Sequence, residues 1–568
     1  MTDILEVKKK DRRLLNHVPD ITGTRSNHDR REQRYEVRYD VKVDSIKAVI
    51  SDVSTTGCLI KSDKELPKHA KLTFEISPGS MPEGYEAKIK SLPAKLVRHH
   101  NDEYGYEFDT TLSEYITKKR QRYMITMASI FMAVIVFIII MMRAESIIFF
   151  KFNKWLYLYS IMAATFLLTR YLFGALYKPV KIDPNYTPGV SIIIPCFNEE
   201  EWIERTILSC TNQDYPVDKL EIIVVDDKSN DNSLSKIKKT VEKLQNLDNE
   251  KYDLINRISY IEQPENMGKR EAMAVGAQAA KHELLVFVDS DSFLDPYAVR
   301  NIVQPFKDEK MGGVSGRTDV ANTYTNSLTK LQAVRYYIAF RIMKAAESYF
   351  DTVSCLSGPL SCYRKDLVLK YLDDWLNQKF LGQKATFGDD RSMTNFILRH
   401  NRTCYQDTAI CSTIVPNDNK VFLKQQMRWK RSWLRESFVA SLFMWRKEPF
   451  AALCFYAGLI VPIAAPVIVI YNLIYIPIIH RVFPTTFVFG MFMMAMLMSF
   501  AQLFLRKSTT WLFGLWFCIY YEFVLLWQMP YAWISFYKST WGTRNTSADI
   551  EEAKRKEEKR NGKTKTKR

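Results

Sequence analysis

Five stretches of this chain run for nineteen residues or more with almost no charge: Tyr123–Met142, Trp155–Leu176, Phe450–Ile479, Phe487–Leu505 and Trp511–Tyr537. Twenty helical residues at about 1.5 Å each cover a hydrocarbon core of about 30 Å. The runs therefore predict two transmembrane helices within 123–177 and a second group within 450–538. They exclude a purely soluble or a wholly disordered chain. Arg170 breaks the second run only near its end, where its stem can snorkel. Lys118, Lys119, Arg120 and Arg122 precede the first run and place the N-terminal region in the cytoplasm. Two spans return the chain, so the long block from Lys178 to Pro449 is expected there too. Five spans would leave the tail outside, yet residues 545–568 carry nine Lys/Arg against five Asp/Glu and read as a basic cytoplasmic tail. One run is then interfacial or re-entrant, or a sixth span is hidden. Phe450–Ile479, with Pro462 and Pro466, is the suspect. Glu522 inside the last run either faces an aqueous path or pairs near the interface.

Composition narrows the class further. The 568 residues hold 80 Lys/Arg against 63 Asp/Glu, a net charge of +17. The basic residues flank the apolar runs and fit anionic headgroups, so membrane lipids are expected as partners and nucleic acid is not. Nine scattered cysteines without a CxxC pair disfavour both a disulfide framework and a zinc ribbon. The segment MTDILEVKKKDRR has no apolar stretch behind its charges and does not read as a cleaved signal peptide.

Ahead of the membrane runs, residues 1–29 are polar and expected to be disordered. Short alternating stretches then occupy 34–109, among them YEVRYDVKVD, KAVISDVS and KLTFEIS. Alternation with turn residues between predicts a small antiparallel barrel or sandwich. Arg30 and Arg34 form an Arg-x-x-x-Arg arm with Arg31 beside it, and Asp52-Val53-Ser54-Thr55-Thr56-Gly57 falls at a strand-to-strand turn. Arginine suits bidentate phosphate contacts and stacking on purines, and an Asp/Ser pair beside Gly suits a base edge. With the closing Gly105-Tyr106-Glu107-Phe108, residues 30–115 resemble a PilZ domain. The resemblance implies a cyclic di-GMP site at Arg30, Arg34, Asp52, Ser54 and Gly57.

Between the two membrane groups, apolar strands alternate with helical spacing: VSIIIP at 190–195, EIIVVD at 221–226 and LLVFVD at 284–289. Such alternation predicts an α/β (Rossmann-like) sheet whose ligands bind beyond the carboxyl ends of the strands. Asn198 and Glu199, Asp226 and Asp227, and Asp289 and Asp291 all fall at those ends. Asp289-Ser290-Asp291 can hold Mg²⁺ or Mn²⁺ against a sugar-nucleotide diphosphate. Asn266-Met267-Gly268-Lys269-Arg270 sets cations beside a glycine, and no Walker loop is present. Gly388-Asp389-Asp390 offers a general base. Gln425-Gln426-Met427-Arg428-Trp429 offers an aromatic platform for a sugar and a cation for departing diphosphate. It lies in the basic-aromatic segment 422–447, which reads as helices on the membrane surface, with 436–449 a separate interfacial helix.

In this order PCFNE (195–199), VVDD (224–227), DSD (289–291), GDD (388–390) and QQMRW (425–429) resemble the processive, inverting family 2 glycosyltransferases, over about 185–545. Residues 334–364, 375–395 and 539–544 are most similar to bacterial hyaluronan synthases, with chitin and chito-oligosaccharide synthases nearby. The resemblance implies a GT-A-like catalytic domain at 185–435. Pro195, Asn198, Glu199, Asp226, Asp227, Lys269, Arg270 and Asp289 would bind the UDP-sugar donor. Asp289 and Asp291 would hold the metal, and Asp390 would be the base. Gln425, Arg428 and Trp429 would close over diphosphate and acceptor, and Ser357, Gly358 and Pro359 would shape the pocket for the growing polysaccharide. Lys228 departs from the pattern, since many relatives have Gly there. The expected whole is a multi-pass polysaccharide synthase of a bacterial inner membrane, with both soluble domains cytoplasmic, secreting its polymer with or without export partners. Cyclic di-GMP would activate it through a movable loop near 422–430 or a shift of the first span. A non-processive lipid-carrier transferase and a cyclic di-GMP receptor with an inactive transferase domain are the alternatives.

Overall fold

The computed structural model describes residues 17–18, 34–54, 56–76, 88–110, 112, 115, 134–138, 140–141, 154–246, 253–500, 502–503 and 510–537. Arg30, Thr55, the STWGTR stretch and the basic tail lie outside them, as does most of the first apolar run.

The N-terminal domain is a strongly curved antiparallel sheet. Its strands are β1 (His17–Val18), β2 (Arg34–Val43), β3 (Ile46–Val53), β4 (Gly57–Lys61), β5 (His69–Glu75), β6 (Lys88–His100) and β7 (Glu103–Phe108). They run β1-β2-β3-β4-β7-β6-β5, and a β2–β5 pairing closes six of them into a barrel. Inward residues alternate along each strand, as in β5, where Ala70, Leu72 and Phe74 are buried. Closure removes both long sheet edges.

The second domain is an eight-stranded mixed sheet in the order β10-β9-β8-β11-β14-β13-β17-β12. Here β8 is Val190–Cys196, β9 Leu220–Asp226, β10 Ile258–Glu262, β11 Leu284–Phe287, β12 Ser292–Leu294, β13 Met311–Val320, β14 Ser361–Arg364 and β17 Arg402–Thr413. β8 to β11 are mutually parallel, and β14 and β12 run against their neighbours. Every residue of β8 and β9 is buried, because helices cover both faces. Those helices include α2 (Ile203–Thr211), α3 (Ser233–Asn246) and α4 (Lys269–Ala279), whereas α1 (Lys154–Leu176) packs on other helices away from the sheet. α5 (Ser327–Tyr337) opens on an Asn326/Thr329 capping box and passes into a π-helical stretch, Ile338–Lys344. α6 is Asp389–Leu398, preceded by a short hairpin of β15 (Lys379–Phe380) and β16 (Gln383–Lys384).

α7 (Asn419–Met444) is one continuous helix of 26 residues, capped by the Asp418 side chain on the Val421 amide. This corrects the expectation of surface helices with a break at residue 436. α7 is buried at Gln426 and Ser432 and around most of its circumference at Leu434, Arg435, Glu436 and Ser437, so it packs into the catalytic domain and its neighbours.

α8 (Pro449–Ile470) continues through a π-helical stretch to His480 despite Pro462, Pro466 and Pro477. Its 32 residues and the 20 of Tyr157–Leu176 are long and apolar enough to cross a membrane. The suspect run is thus one continuous helix through its prolines. α9 (Thr485–Phe500) and the helix formed by α10 (Phe513–Tyr520) with its extension to Leu525 are shorter.

Within the Trp511–Tyr537 run the helix to Leu525 and the next helix are separated by a turn at Leu526 and Trp527. At Leu525 its carbonyl accepts from Lys430 Nζ at 2.6 Å, and α11 (Gln528–Trp533) turns to lie on α7, with Met529 and Ala532 packed on Leu434. Cations on α7 hold this half of the run, which hydropathy alone does not reveal.

Candidate active site

The carboxyl ends of β8, β9 and β11 carry the loops that bear most of the chemistry. Pro195 is buried within β8 opposite Val225 and shapes the strand end without reaching outward. Asn198 takes a left-handed backbone, and its Oδ1 accepts from the Asn230 amide at 2.8 Å. The Glu199 amide donates to Ser233 Oγ. Asp226 is buried and accepts from the hydroxyl and amide of Ser229 at 2.6 and 3.1 Å. Asp227 accepts the amides of Met267 and Gly268 at 2.8 and 2.9 Å. These aspartates thus build the two loops flanking the expected nucleotide position. Lys228 sits between them at φ 59°, a conformation in which glycine is unstrained and lysine is not.

Lys269 and Arg270 part company. Lys269 Nζ forms an ion pair with Asp289 Oδ1. Arg270 turns inward: Nε donates to Asp389 Oδ1 at 3.0 Å and Nη1 to Trp375 O and Gln378 Oε1, while the guanidinium lies over the Trp375 ring. Its side chain is 5% exposed. Arg270 thus faces Asp389 and Trp375 while Lys269 faces Asp289, because the first turn of α4 aims consecutive side chains in different directions.

Asp291 is held by Ser292 Oγ and Thr413 Oγ1, both 3.3 Å from Oδ1. Burial, then the neighbouring Asp289 charge, pushes its carboxyl up to about 6. Two carboxylates crowded in this way, one of them already paired with an ammonium, suit a divalent cation. Among the described residues no cluster of three or more His, Cys, Asp or Glu forms. Asp289 and Asp291 would be the protein's ligands to such a cation.

On the other wall, Gly388 takes φ 80° and starts α6 with Asp389 and Asp390 in its first turn. Asp390 Oδ2 accepts from the Cys355 thiol at 3.3 Å, and its Oδ1 takes the Arg391 amide. Burial, with Asp390 the next cause, pushes that thiol up to about 12, so it stays protonated and donates. A Cβ on Gly358 would lie 2.9 Å from Asp289 Oδ2 and 3.3 Å from Lys269 Nζ. The Ser357-Gly358-Pro359 turn is thus in contact with the donor-side carboxylate, and Cys355, two residues earlier, touches the candidate base.

α7 closes the site. Arg335 donates to Gln426 Oε1 and lies over the Trp429 ring. Gln425 Oε1 is buried without a hydrogen-bond partner. Arg428 and Trp429 are half-buried on the same helix. One further turn along, Ser432 abuts Gly388, where an added Cβ would approach it to 2.7 Å. Arg435 donates to the Phe387 carbonyl and pairs with Glu436 at 2.8 Å. Glu436 accepts from Gln378 and Asn395. Sequence reasoning missed Arg335, Gln378, Arg435 and Glu436. Their spacing from Trp429 on one helix was the available signal for the last two.

In the barrel, Ser54 and Gly57 bond each other: Gly57 N to Ser54 Oγ at 3.0 Å and Ser54 N to Gly57 O at 2.8 Å. A Cβ on Gly57 would meet the Tyr106 carbonyl at 2.5 Å, so close strand approach explains this glycine. Asp52 pairs with Glu36 across β2 beside a bulge, and Arg34 begins β2. Glu522 Oε2 is buried and has no hydrogen-bond partner.

Two family models match the chain. Residues 191–372 match the Glycosyl transferase family 2 model and residues 24–125 the PilZ domain model. A hyaluronan synthase of Streptococcus pyogenes serotype M3 is 35% identical over 285 residues, 50% of this chain and 66% of that protein. An N-acetylglucosaminyltransferase of Rhizobium meliloti is 34% identical over 278 residues, 48% of this chain and 62% of its own length. The matches thus span just under two thirds of those relatives. A mannosyltransferase from Pyrobaculum calidifontis, solved with GDP-Man and Mn²⁺, superposes at a TM-score of 0.44 and 20% identity, over 66% of this chain and 96% of that one. The chain carries a glycosyltransferase family 2 domain behind a PilZ domain.

Proposed function

We propose that the protein is a membrane-embedded, processive, inverting glycosyltransferase that polymerises a UDP-sugar and secretes the chain. The donor is UDP-GlcNAc, with or without UDP-GlcA, in line with the hyaluronan synthase and N-acetylglucosaminyltransferase among its relatives. The reading rests on one observation: a single loop, residues 354–359, touches Asp390 through Cys355 and lies against Asp289 at Gly358. An acceptor hydroxyl held by that loop would lie between a base and a donor.

Asp390 would take the proton from the acceptor hydroxyl. The oxygen would then bond the anomeric carbon from the face opposite the diphosphate, the carbon–oxygen bond to UDP would break, and the configuration would invert. Arg428 would meet the charge gathering on UDP, and Trp429 would stack on the acceptor sugar. Asp289 and Asp291 would hold Mg²⁺ or Mn²⁺, which when bound neutralises diphosphate charge. Asp226 and Asp227 would shape the nucleotide pocket through the loops they hold, and Lys269 would present its ammonium to phosphate.

The apolar helices would carry the hydrophilic product past hydrocarbon it cannot cross unaided. The chain would sit in a bacterial inner membrane with both soluble domains cytoplasmic. Cyclic di-GMP would bind at Arg30, Arg34 and the Asp52–Gly57 turn and activate synthesis.

The test is UDP release by purified protein in lipid, with UDP-GlcNAc alone, UDP-GlcA alone and both together, each with and without cyclic di-GMP. Release requiring both donors indicates a heteropolymer, and release with UDP-GlcNAc alone a chitin-like chain. Silence under every condition overturns the reading.

A further inference from the structure

The stretch Ser354–Pro359 contains neither helix nor strand, yet four contacts hold it. Ser354 donates its amide and hydroxyl to Glu347 Oε2 at 2.9 and 3.1 Å. The Cys355 thiol donates to Asp390, and the Leu356 amide to Thr394 Oγ1 on α6. The fourth contact differs in kind: Lys344 Nζ donates to Ser357 Oγ at 2.6 Å and to Ser315 Oγ of β13 at 2.8 Å.

Lys344 is 8% exposed. Its ammonium lies 4.3 Å from the centroid of the Phe340 ring, and among the described residues no carboxylate approaches it within salt-bridge distance. Burying a cation with only hydroxyls and a ring for company is costly, and an apolar side chain of equal length would avoid that cost. Burial pushes Lys344 down to about 8, while the fields of Cys355, Asp390 and Glu347 oppose the shift. Lys344 also ends the π-helical stretch Ile338–Lys344, a widening frequent at functional positions. A group kept at such cost, bonded to the residue next to Gly358, points to a task in the site.

We propose that Lys344 is a positioning residue for the acceptor: by tying Ser357 to Ser315 it fixes the loop 354–359, and with it the acceptor hydroxyl, relative to Asp390. The inference rests on the glycosyltransferase reading above. It assigns Lys344 no contact with the donor, so donor binding and transfer should separate on substitution.

The test uses the full chain in lipid nanodiscs and compares wild type with Lys344→Met, Lys344→Arg and Ser357→Ala. Donor KM, kcat for polymer formation and the share of UDP-sugar lost to water as free sugar are measured. Lys344→Met is expected to lower kcat by ~30-fold, within the range that a displacement of about 1 Å can produce. Donor KM should stay within about twofold, and the hydrolysed share should rise, because the donor still meets water when the acceptor is misplaced. Lys344→Arg should recover part of kcat. Ser357→Ala should show the same pattern more weakly and add nothing on top of Lys344→Met, as expected for two residues acting through one contact. Unchanged kcat and partition in Lys344→Met overturn the proposal. So does a parallel loss of donor affinity and thermal stability, which marks a mere structural prop. If Lys344→Met does not fold, an unaltered partition in Ser357→Ala overturns it. A wild type that consumes no donor would sink the glycosyltransferase reading itself, whereas an active wild type with an indifferent Lys344→Met sinks only this inference.

Discussion

Arg270 Nε donates to Asp389 Oδ1 at 3.0 Å, and both side chains are almost completely buried. The residue beside the candidate base is thereby locked to the helix that follows the glycine-lysine loop. Two loops far apart in sequence, whose helices pack in the same core cluster, are thereby joined. Removing one partner of such a pair strands the other charge. Arg270→Met is expected to destabilise the domain by about 3–5 kcal/mol and to cut turnover, with UDP affinity of the surviving folded fraction close to wild type. Thermal unfolding and UDP titration check this. A selective loss of UDP affinity in a stable protein would return Arg270 to the nucleotide.

Asp390→Asn keeps the shape and removes the base. Turnover should fall by about 10²–10⁴, the usual contribution of general base catalysis. UDP binding in the presence of Mg²⁺ should persist. Single-turnover measurements on the variant decide between this role and a purely structural one.

Gly388 has φ 80°, and an added Cβ would lie 2.7 Å from Ser432. Gly388→Ala therefore meets two obstacles, a left-handed backbone costing about 1–2 kcal/mol and a collision with α7. Lower stability and lower turnover together are expected. The effect on turnover should exceed that of Ser432→Ala, which leaves the backbone undisturbed.

Lys344 also gives a pH signature. Its folded-state value of about 8 lies below the ordinary lysine value of 10.5, so between these limits the unfolded chain binds the extra proton. Stability therefore rises with pH across that window. Wild type should gain thermal stability relative to Lys344→Met between pH 8 and about 10.5, with the difference flat below pH 7. Parallel melting curves over that range decide the matter.

Arg34 begins β2 and Asp52 lies across from Glu36 beside the bulge that leads into the Ser54–Gly57 turn. Replacing Arg30 and Arg34 with Ala should abolish the response to cyclic di-GMP and leave unstimulated turnover intact. Isothermal titration with the nucleotide, alongside UDP release, checks both halves. Stimulation that survives the double substitution would place the nucleotide elsewhere.

Much of the architecture is legible in the sequence because burial has a period. VSIIIPC and LEIIVVD are apolar except at Ser191, Glu221 and Asp226 and are buried throughout, as strands covered on both faces are, and the β-rich domain alternates because one face of each strand meets the barrel interior. Spacing along a chain also locates carboxylates at strand ends, so Asp289, Asp291 and Asp390 could be named from motif order alone. Direction of a side chain is another matter. Lys269 and Arg270 are adjacent and equally basic, yet one pairs with Asp289 and the other is buried against Asp389 and Trp375, a choice made by the helix turn on which they sit. Hydropathy likewise marks 511–537 as one run. Hydrogen bonds from Lys430 and Arg431 on α7 to Leu525 and Ser535 divide it. Local pattern thus determined which residues are strands, helices and candidate chemistry. Contacts between residues as far apart as Lys344 and Ser315, or Arg435 and Phe387, were decided only by the tertiary packing, because they depend on partners that sequence spacing does not bring together.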